Sequence, residues 1–239
     1  SEWGRAVDYR IYQISQMANV DLYLESPMTP ENLDEVGADH IAIATGARWN
    51  ADGIGRQNPL GIEIKTGTSV LTPDDVMKGA VPDGPVVVFD DDHFYIGGAI
   101  AEKLKRSGCD VTLVTPAAEV SSWTHNTLDQ HAVQKQLMEL GVRIITAHNV
   151  SSVRPGQVDV SCVYSEQIQC IECAAAVLVT MRTPTDNLWQ ARPDLPRIGD
   201  ALGPSTIAAA VYSGHRFARE LGEPDKGNVP FRRELIHLS

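Results

Sequence analysis

Between residues 84 and 182 two rhythms of apolar residues alternate. Residues 85–89 (PVVVF) form a short continuous apolar run, the pattern of a strand buried on both faces. Residues 95–107 (YIGGAIAEKLKRS) put Ile96, Ile100 and Leu104 on one helical face, and Gly108 stands where such a helix ends. The same alternation predicts a strand over 110–115 (DVTLVT), a helix over 127–140 ending at Gly141, and a strand over 142–147 (VRIITA). Strands joined by helices run parallel, so this is a β-α-β-α-β unit. The rhythm then changes. Segments 149–154, 157–164 and 167–173 are short, β-rich and separated by turns such as Pro155-Gly156, as in an antiparallel meander laid across the parallel sheet. Residues 176–180 (AVLVT) return as an apolar strand.

The flanking segments resemble parts of a second unit. Residues 7–17 read as a helix carrying several aromatics, and 20–25 (VDLYLE) as a strand. Thr29-Pro30 and Thr72-Pro73 are both helix starts, with Thr at the N-cap and Pro at the first helical position. A strand is predicted over 40–45 (HIAIAT) and another over 195–199 (LPRIG), followed by a long helix over 205–221. The predicted fold class is α/β, with two Rossmann-like units of the three-layer ββα, FAD/NAD(P)-binding kind. The outer unit is discontinuous, 1–83 with 183–239. The inner unit, 84–182, is inserted between its parts.

Composition narrows the chemistry. The 239 residues carry 31 acidic against 20 basic side chains, a formal net charge of -11. That balance argues against a nucleic-acid partner, which needs clustered Lys and Arg. No apolar run approaches the roughly 20 residues that cross a bilayer, so no membrane partner is expected. No apolar segment follows Ser1-Glu2-Trp3 as in a signal peptide, and four cysteines are too few for a disulfide scaffold. A cytoplasmic location is the expectation.

His40-Ile41-Ala42-Ile43-Ala44-Thr45-Gly46 resembles the ATG motif of FAD/NAD(P)-binding flavoproteins, and Arg197-Ile198-Gly199-Asp200-Ala201 resembles their GD motif. Longer strings are more specific. Glu2-Trp3 with Asp8-Tyr9-Arg10, Ala44 to Asn50, Asp90-Asp91-Asp92-His93-Phe94-Tyr95, Asn187-Leu188-Trp189 and Ser213-Gly214-His215-Arg216 are similar to the C-terminal region of the trimethylamine, dimethylamine and histamine dehydrogenases. The resemblance runs from residue 2 to residue 235. It implies a whole protein with an N-terminal flavin barrel holding FMN, a 4Fe-4S cluster, and ADP or FAD in the outer unit. It also implies an electron-transfer flavoprotein as acceptor. The barrel, the cysteine cluster and the outer unit's opening strand and glycine turn are missing here, so a fragment truncated at its N-terminus is expected. Such a fragment is expected to hold no cofactor itself and to be capable of self-association. The resemblance places Thr45, Gly46, Gly199, Asp200 and Ala201 along the outer cofactor site, with Asp200 on a ribose or ribityl hydroxyl.

The inner unit departs from a working dinucleotide fingerprint. Counting back from Gly97, the three glycine positions are Asp92, Phe94 and Gly97, and only the last is glycine. Two unit charges about 4 Å apart repel by roughly 4 kcal/mol at an effective dielectric near 20, so an acidic triplet facing a pyrophosphate opposes binding. Thr115 stands where an acid or arginine meets the ribose, and Met181 where a glycine admits the ligand. These five positions read as a degenerate nicotinamide site. The expected function is part of an amine dehydrogenase, acting by oxidative N-demethylation or deamination. The part itself is expected to be non-catalytic and not to use NAD(P)H. Two alternatives stand beside it: the NAD(P)H-binding half of a 2,4-dienoyl or enoate reductase, and a stand-alone scaffold module.

Other residues have plainer readings. Cys170 and Cys173, three apart on a strand, point to opposite faces and suit structural thiols, as do Cys109 and Cys162. His93, His125, His131 and His215 have no acid or nucleophile at catalytic spacing, and no serine sits in a nucleophile elbow. Asp90 to Asp92 suit a turn better than a cation site, and no metal site is predicted. The aromatics Trp3, Tyr9, Tyr12, Trp49, Trp123 and Trp189 read as packing residues.

Overall fold

The computed structural model describes residues 4–165 and 167–222. The quoted Glu2-Trp3 pair and everything beyond residue 222 lie outside the described residues. In chain order the elements are α1 (Gly4–Ser15), α2 (Pro30–Glu35), β1 (Ala47–Trp49), β2 (Glu63–Ile64), β3 (Val70–Leu71), α3 (Pro73–Met77), β4 (Val86–Asp90), α4 (Tyr95–Arg106) and β5 (Val111–Val114). They continue with α5 (Gln130–Glu139), β6 (Arg143–Ile145), β7 (His148–Arg154), β8 (Gln157–Cys162), β9 (Ile168–Glu172), β10 (Ala175–Val179), β11 (Arg182–Pro184), α6 (Asn187–Ala191) and α7 (Ile207–Arg219).

Residues 84–182 form three layers together with β2, β3 and α3, which precede residue 84. The central sheet is parallel, in the order β3-β10-β4-β5-β6. Successive residues of β4 serve opposite layers. Val86 and Val88 pack with Val76 of α3, Ile100 and Leu104 of α4 and Leu137 of α5. Val87 and Phe89 pack with Val150, Val153, Val158, Val160 and Ile171 of a second sheet. That sheet has the order β2-β7-β8-β9, with β7, β8 and β9 an antiparallel meander. Both faces of β4 are therefore apolar, which is why its sequence is continuous rather than alternating. This is the α/β, tandem Rossmann-like ββα class predicted from the pattern.

Helix ends follow local chemistry. Thr72 caps α3 in a reciprocal capping box with Asp75, and the Thr29 hydroxyl accepts from the Asn32 amide at the start of α2. The predicted helix over 127–140 starts later, at Gln130, because a 3-10 turn occupies Ser122–Thr127 and Leu128 is left-handed at φ 64°.

The outer segments differ from expectation. No strand forms over 20–25, where Leu22, Tyr23 and Leu24 are exposed. The segments 40–45 and 195–199 meet at a single parallel bridge, Ile43 to Arg197. An extended segment becomes a strand only when a neighbour takes its amides and carbonyls, and one bridge does not make a ladder. The regular pairing in this region was not predicted: β1 and β11 form an antiparallel pair that ties the segment before the inner unit to the segment after it.

Candidate functional site

The central strand β4 has β5 and β6 on one side and β10 and β3 on the other, so the sheet's connectivity changes direction there. In such sheets ligands bind in the crevice at the carboxyl end of that strand. Here this is the turn from Asp90 to Phe94, running into α4.

The acidic triplet does not stand open in this crevice. Asp90 and Asp91 are fully buried. One Asp90 oxygen, Oδ1, accepts the amides of Asp92 at 3.2 Å and His93 at 3.0 Å. Its other oxygen, Oδ2, is buried with no hydrogen-bond partner. Burial outweighs those two amides and pushes the Asp90 carboxyl up to about 7. Asp91 accepts the Gln57 amide at 2.9 Å, reaching across to the loop over 51–61, and its Oδ1 lies 3.6 Å from His93 Nε2. Burial raises the Asp91 carboxyl as well. Asp92 is half-buried. Burial raises it, while the charges of Arg182 and Arg56 pull it back.

The remaining inner positions also differ from the sequence reading. His93, not Asp92, is the left-handed residue of the turn, at φ 66°. It is held at a neutral ring, its pKa lowered to about 4 first by burial and then by Arg56. Phe94 turns edge-on to Trp123, ring centroids 5.2 Å apart. Thr115 is buried, its hydroxyl 3.5 Å from His93 Nδ1. Met181 is 45% exposed, so it projects outward instead of filling a gap. A Cβ at Gly97 would lie 2.3 Å from Asp90 Cγ, so a side chain there would clash.

The structure brings the outer positions to one end of the Ile43 to Arg197 bridge. Thr45 is exposed and donates its hydroxyl to the Thr185 carbonyl, and Gly46 has φ 74°. The Gly199 amide donates to Ser213 Oγ at 3.0 Å, and Ala201 is buried. Asp200 Oδ2 accepts from Arg182 Nη1 at 2.7 Å, and its Oδ1 accepts the Ser205 amide at 3.2 Å. A carboxylate has about four lone-pair sites, so Asp200 keeps capacity for a ribose hydroxyl. Beside these residues an apolar groove of about 420 Å³ runs along α7, between Leu202, Tyr212 and Phe217.

Sequence reasoning missed Arg56 and Arg182. Arg182 follows the strand β10, donates its second nitrogen to the Ser205 carbonyl at 2.7 Å, and lies over Trp49. Its charge reaches both Asp92 and Asp200, so it links the inner turn to the outer motif. It directly follows Met181 in the sequence, and that adjacency is a usable signal. Arg56 stacks on Trp123 from a loop with no periodicity, and nothing in the sequence pointed to it. Trp189 likewise carries Arg197 at 3.8 Å. Cys109 and Cys173 are buried and Cys170 is exposed. Among the described residues no group of three or more His, Cys, Asp or Glu could hold a metal ion. No described helix is long and apolar enough to cross a membrane.

Residues 71–177 match the family described as the OYE-like second alpha/beta domain. The dimethylamine dehydrogenase of Hyphomicrobium sp. (strain x) is 29% identical over 272 residues, covering 98% of this chain and 37% of its own. The histamine dehydrogenase of Rhizobium sp. 4-9 is 44% identical with a TM-score of 0.89, covering 99% of this chain and 39% of its own. The 6-hydroxypseudooxynicotine amine oxidase of Pseudomonas geniculata N1 is 37% identical with a TM-score of 0.87, covering 92% and 34%. The chain thus spans less than two fifths of the length of these relatives.

More distant structures correct the expected function. A 2-naphthoyl-CoA reductase in complex with 2-naphthoyl-CoA shares the fold at a TM-score of 0.72 and 20% identity. So do an engineered water-forming NADPH oxidase bound to NADPH, at 0.52 and 16%, and the Lactobacillus brevis NADH oxidase bound to NADH, at 0.50 and 16%. The expectation of a non-catalytic part that does not use NAD(P)H is overturned by these neighbours, because the same fold carries nicotinamide dinucleotides. The physical reason is visible in the turn. The electrostatic objection assumed three open carboxylates, whereas Asp90 and Asp91 are buried. The chain is a domain-sized match to the trimethylamine/dimethylamine/histamine dehydrogenase family, covering only part of the family's larger members.

Proposed function

We propose that this chain is the tandem nucleotide-binding region of an oxidoreductase of the amine-dehydrogenase class, and that its inner unit, 84–182, takes a nicotinamide dinucleotide at the turn between β4 and α4. One observation carries the reading. At the carboxyl end of the central strand a turn runs into the start of α4, with the charges of Arg56 and Arg182 acting on Asp92 of that turn. Amides at a helix start, backed by guanidinium groups, suit a pyrophosphate.

The outer segments, 1–83 and 183–239, form the second unit in this reading. Thr45, Gly46, Gly199, Asp200 and Ala201 line its site for ADP or the adenine half of FAD, with Asp200 accepting a ribose hydroxyl. The whole protein adds a flavin barrel with FMN, which supplies the redox chemistry, and a 4Fe-4S cluster. The four cysteines here do not fit that cluster: two are buried, and among the described residues no three or more His, Cys, Asp or Glu come together as metal ligands. Its ligands therefore belong to other parts of the whole protein. An electron-transfer flavoprotein as acceptor, self-association and a cytoplasmic location complete the proposal.

The test is titration of NADH and, separately, NADPH into the full-length protein, followed by calorimetry and by the fluorescence of Trp123, which lies against Phe94 and Arg56. Saturable binding, weakened at least about tenfold by Arg56→Ala, is the expected outcome for a phosphate-facing guanidinium. No saturation by either dinucleotide at millimolar concentration sinks the reading.

A further inference from the structure

Asp200 sits in the 3-10 turn Gly199–Ala201, just after the segment bridged to Ile43, and is half-buried there. Both of its carboxylate oxygens are tethered. Oδ2 accepts from Arg182 Nη1 at 2.7 Å, and Oδ1 accepts the Ser205 amide at 3.2 Å. Arg182 closes the ring by donating Nη2 to the Ser205 carbonyl at 2.7 Å. The guanidinium is itself held in place. Arg182 pairs with Trp49 in the β1–β11 ladder, and its Cζ lies 5.2 Å from the centroid of the Trp49 ring. Trp49 packs in turn against the core around β4 and α4, and its amide donates to Asp74 Oδ2 at 2.9 Å. A chain of fixed groups thus runs from a packed core to the plane of one carboxylate.

We propose that Arg182 is a positioning residue for the outer nucleotide site: it holds the Asp200 carboxylate in the orientation that accepts a ribose hydroxyl. This assignment rests on the ADP reading of the outer unit proposed above and adds the residue on which recognition of the ribose depends. A short acidic side chain has several rotamers, and a hydroxyl gains most from an oxygen that is already in place. The outer segments supply little packing to fix it, since α7 has no buried residue. The planar guanidinium supplies the constraint instead. It places one nitrogen on the carboxylate and the other on a backbone carbonyl, so neither acceptor shifts without the other. One donor on each oxygen uses two of about four lone-pair sites and leaves the rest for a ligand hydroxyl. Arg182 therefore acts through Asp200. The geometry of a site in the loosely packed segments is set from the strand that follows β10.

The probes are ADP and its 2′,3′-dideoxy analogue, which lacks both ribose hydroxyls. Each is titrated by calorimetry into the full-length protein after any co-purified nucleotide has been removed. The wild type is expected to prefer ADP by about tenfold, the effect of one charge-assisted hydrogen bond. Asp200→Ala is expected to abolish that preference, which assigns it to the outer site. Arg182→Gln is expected to reduce it to about twofold or less and to leave the affinity for the dideoxy analogue within about twofold of wild type. A merely structural role would weaken both nucleotides alike. Arg182→Lys keeps the charge without the fork, and its preference is expected to fall between the two. A preference that survives Arg182→Gln, or an equal loss for both nucleotides, overturns the positioning role and leaves the ADP reading standing. Should Arg182→Gln fail to fold, Arg182→Lys decides, and an undiminished preference there overturns the role. A wild type without preference, or a preference that Asp200→Ala leaves intact, sinks the ribose contact at Asp200 and the role of Arg182 with it.

Discussion

In the inner unit β4 and β10 are buried at every residue, and α4 buries Ile100 and Leu104. In the outer unit α7, a helix one residue longer than α4, has no buried residue at all. The two helices have similar amphipathic sequences, so the difference lies in what faces them. α4 has a sheet and α5 to cover. Among the described residues α7 meets chiefly the short turn at Gly199–Ala201 and the residues around a groove. The outer segments are instead tied by polar contacts: Arg182 to Asp200, Arg192 to Asp34 and Asp194, and Arg197 to Asp186. An amphipathic stripe thus predicts a helix in both places, but it predicts a core only where a second layer exists.

The largest expected effect tests that difference directly. Leu113 is fully buried between the sheet and the helices, and Leu113→Ala is expected to cost about 2–5 kcal/mol, as such cavities do. Ile207, at the start of α7, is 64% exposed, and Ile207→Ala should stay within about 0.5 kcal/mol. Urea unfolding of both variants makes the comparison. Equal costs would mean that the described residues do not report how the two units are packed.

Next in size is a pH effect confined to the inner turn. Asp90 has a folded pKa raised from 3.8 to about 7, so between those values the folded state binds the extra proton. Its contribution to stability is present at low pH and is lost as pH rises through about 7. His93 is lowered from 6.5 to about 4, so the unfolded state binds that proton, and its contribution grows as pH rises over the same window. At 1.36 kcal/mol per unit the two terms are each about 3–4 kcal/mol and oppose one another. These two terms should therefore nearly cancel from about pH 4 to 6.5, with a small further loss as Asp90 finishes titrating near pH 7, while the raised Asp91 and Asp92 add a loss that begins above 3.8. Replacement unmasks each term. His93→Gln should make stability fall by about 4 kcal/mol from pH 4 to 7, and Asp90→Asn should make it rise by about 3 kcal/mol from pH 4 to 6.5. Denaturant melts across pH check the signs, and identical profiles for both variants would remove the turn as the cause.

How much of this was legible follows the same division. Strands β4, β5, β6 and β10, the meander and helix α4 were readable because each is apolar on the faces it buries. The strands expected over 20–25, 40–45 and 195–199 have the right composition but lack a ladder of partners among the described residues, and pairing is not written in a single segment. At the site, Gly97 and the acidic turn were readable as residues. Their orientation was not. Whether Asp90 and Asp91 face solvent or the interior depends on the loop over 51–61, whose Gln57 amide holds Asp91. That contact spans 34 residues of sequence and leaves no periodic trace.

The smallest effect falls where the two units meet. Arg182 is half-buried, and its guanidinium makes one bond to Asp200 and one to the Ser205 carbonyl. Asp200 in turn accepts the Ser205 amide, so a single side chain fixes the segment that leads into α7. Arg182→Gln keeps some length but loses the charge and the fork, and about 1–2 kcal/mol is expected for charge-assisted bonds at this exposure. Lysine keeps the charge yet cannot make both bonds at once, so Arg182→Lys should recover only part of the loss. The loss should be local. Hydrogen exchange over 199–219 should speed up, while β4 and β5 keep their protection, because their core does not include Arg182. Faster exchange in both units together would mean that the inner core depends on the outer segments, and the contrast between a packed unit and a tethered one would no longer hold.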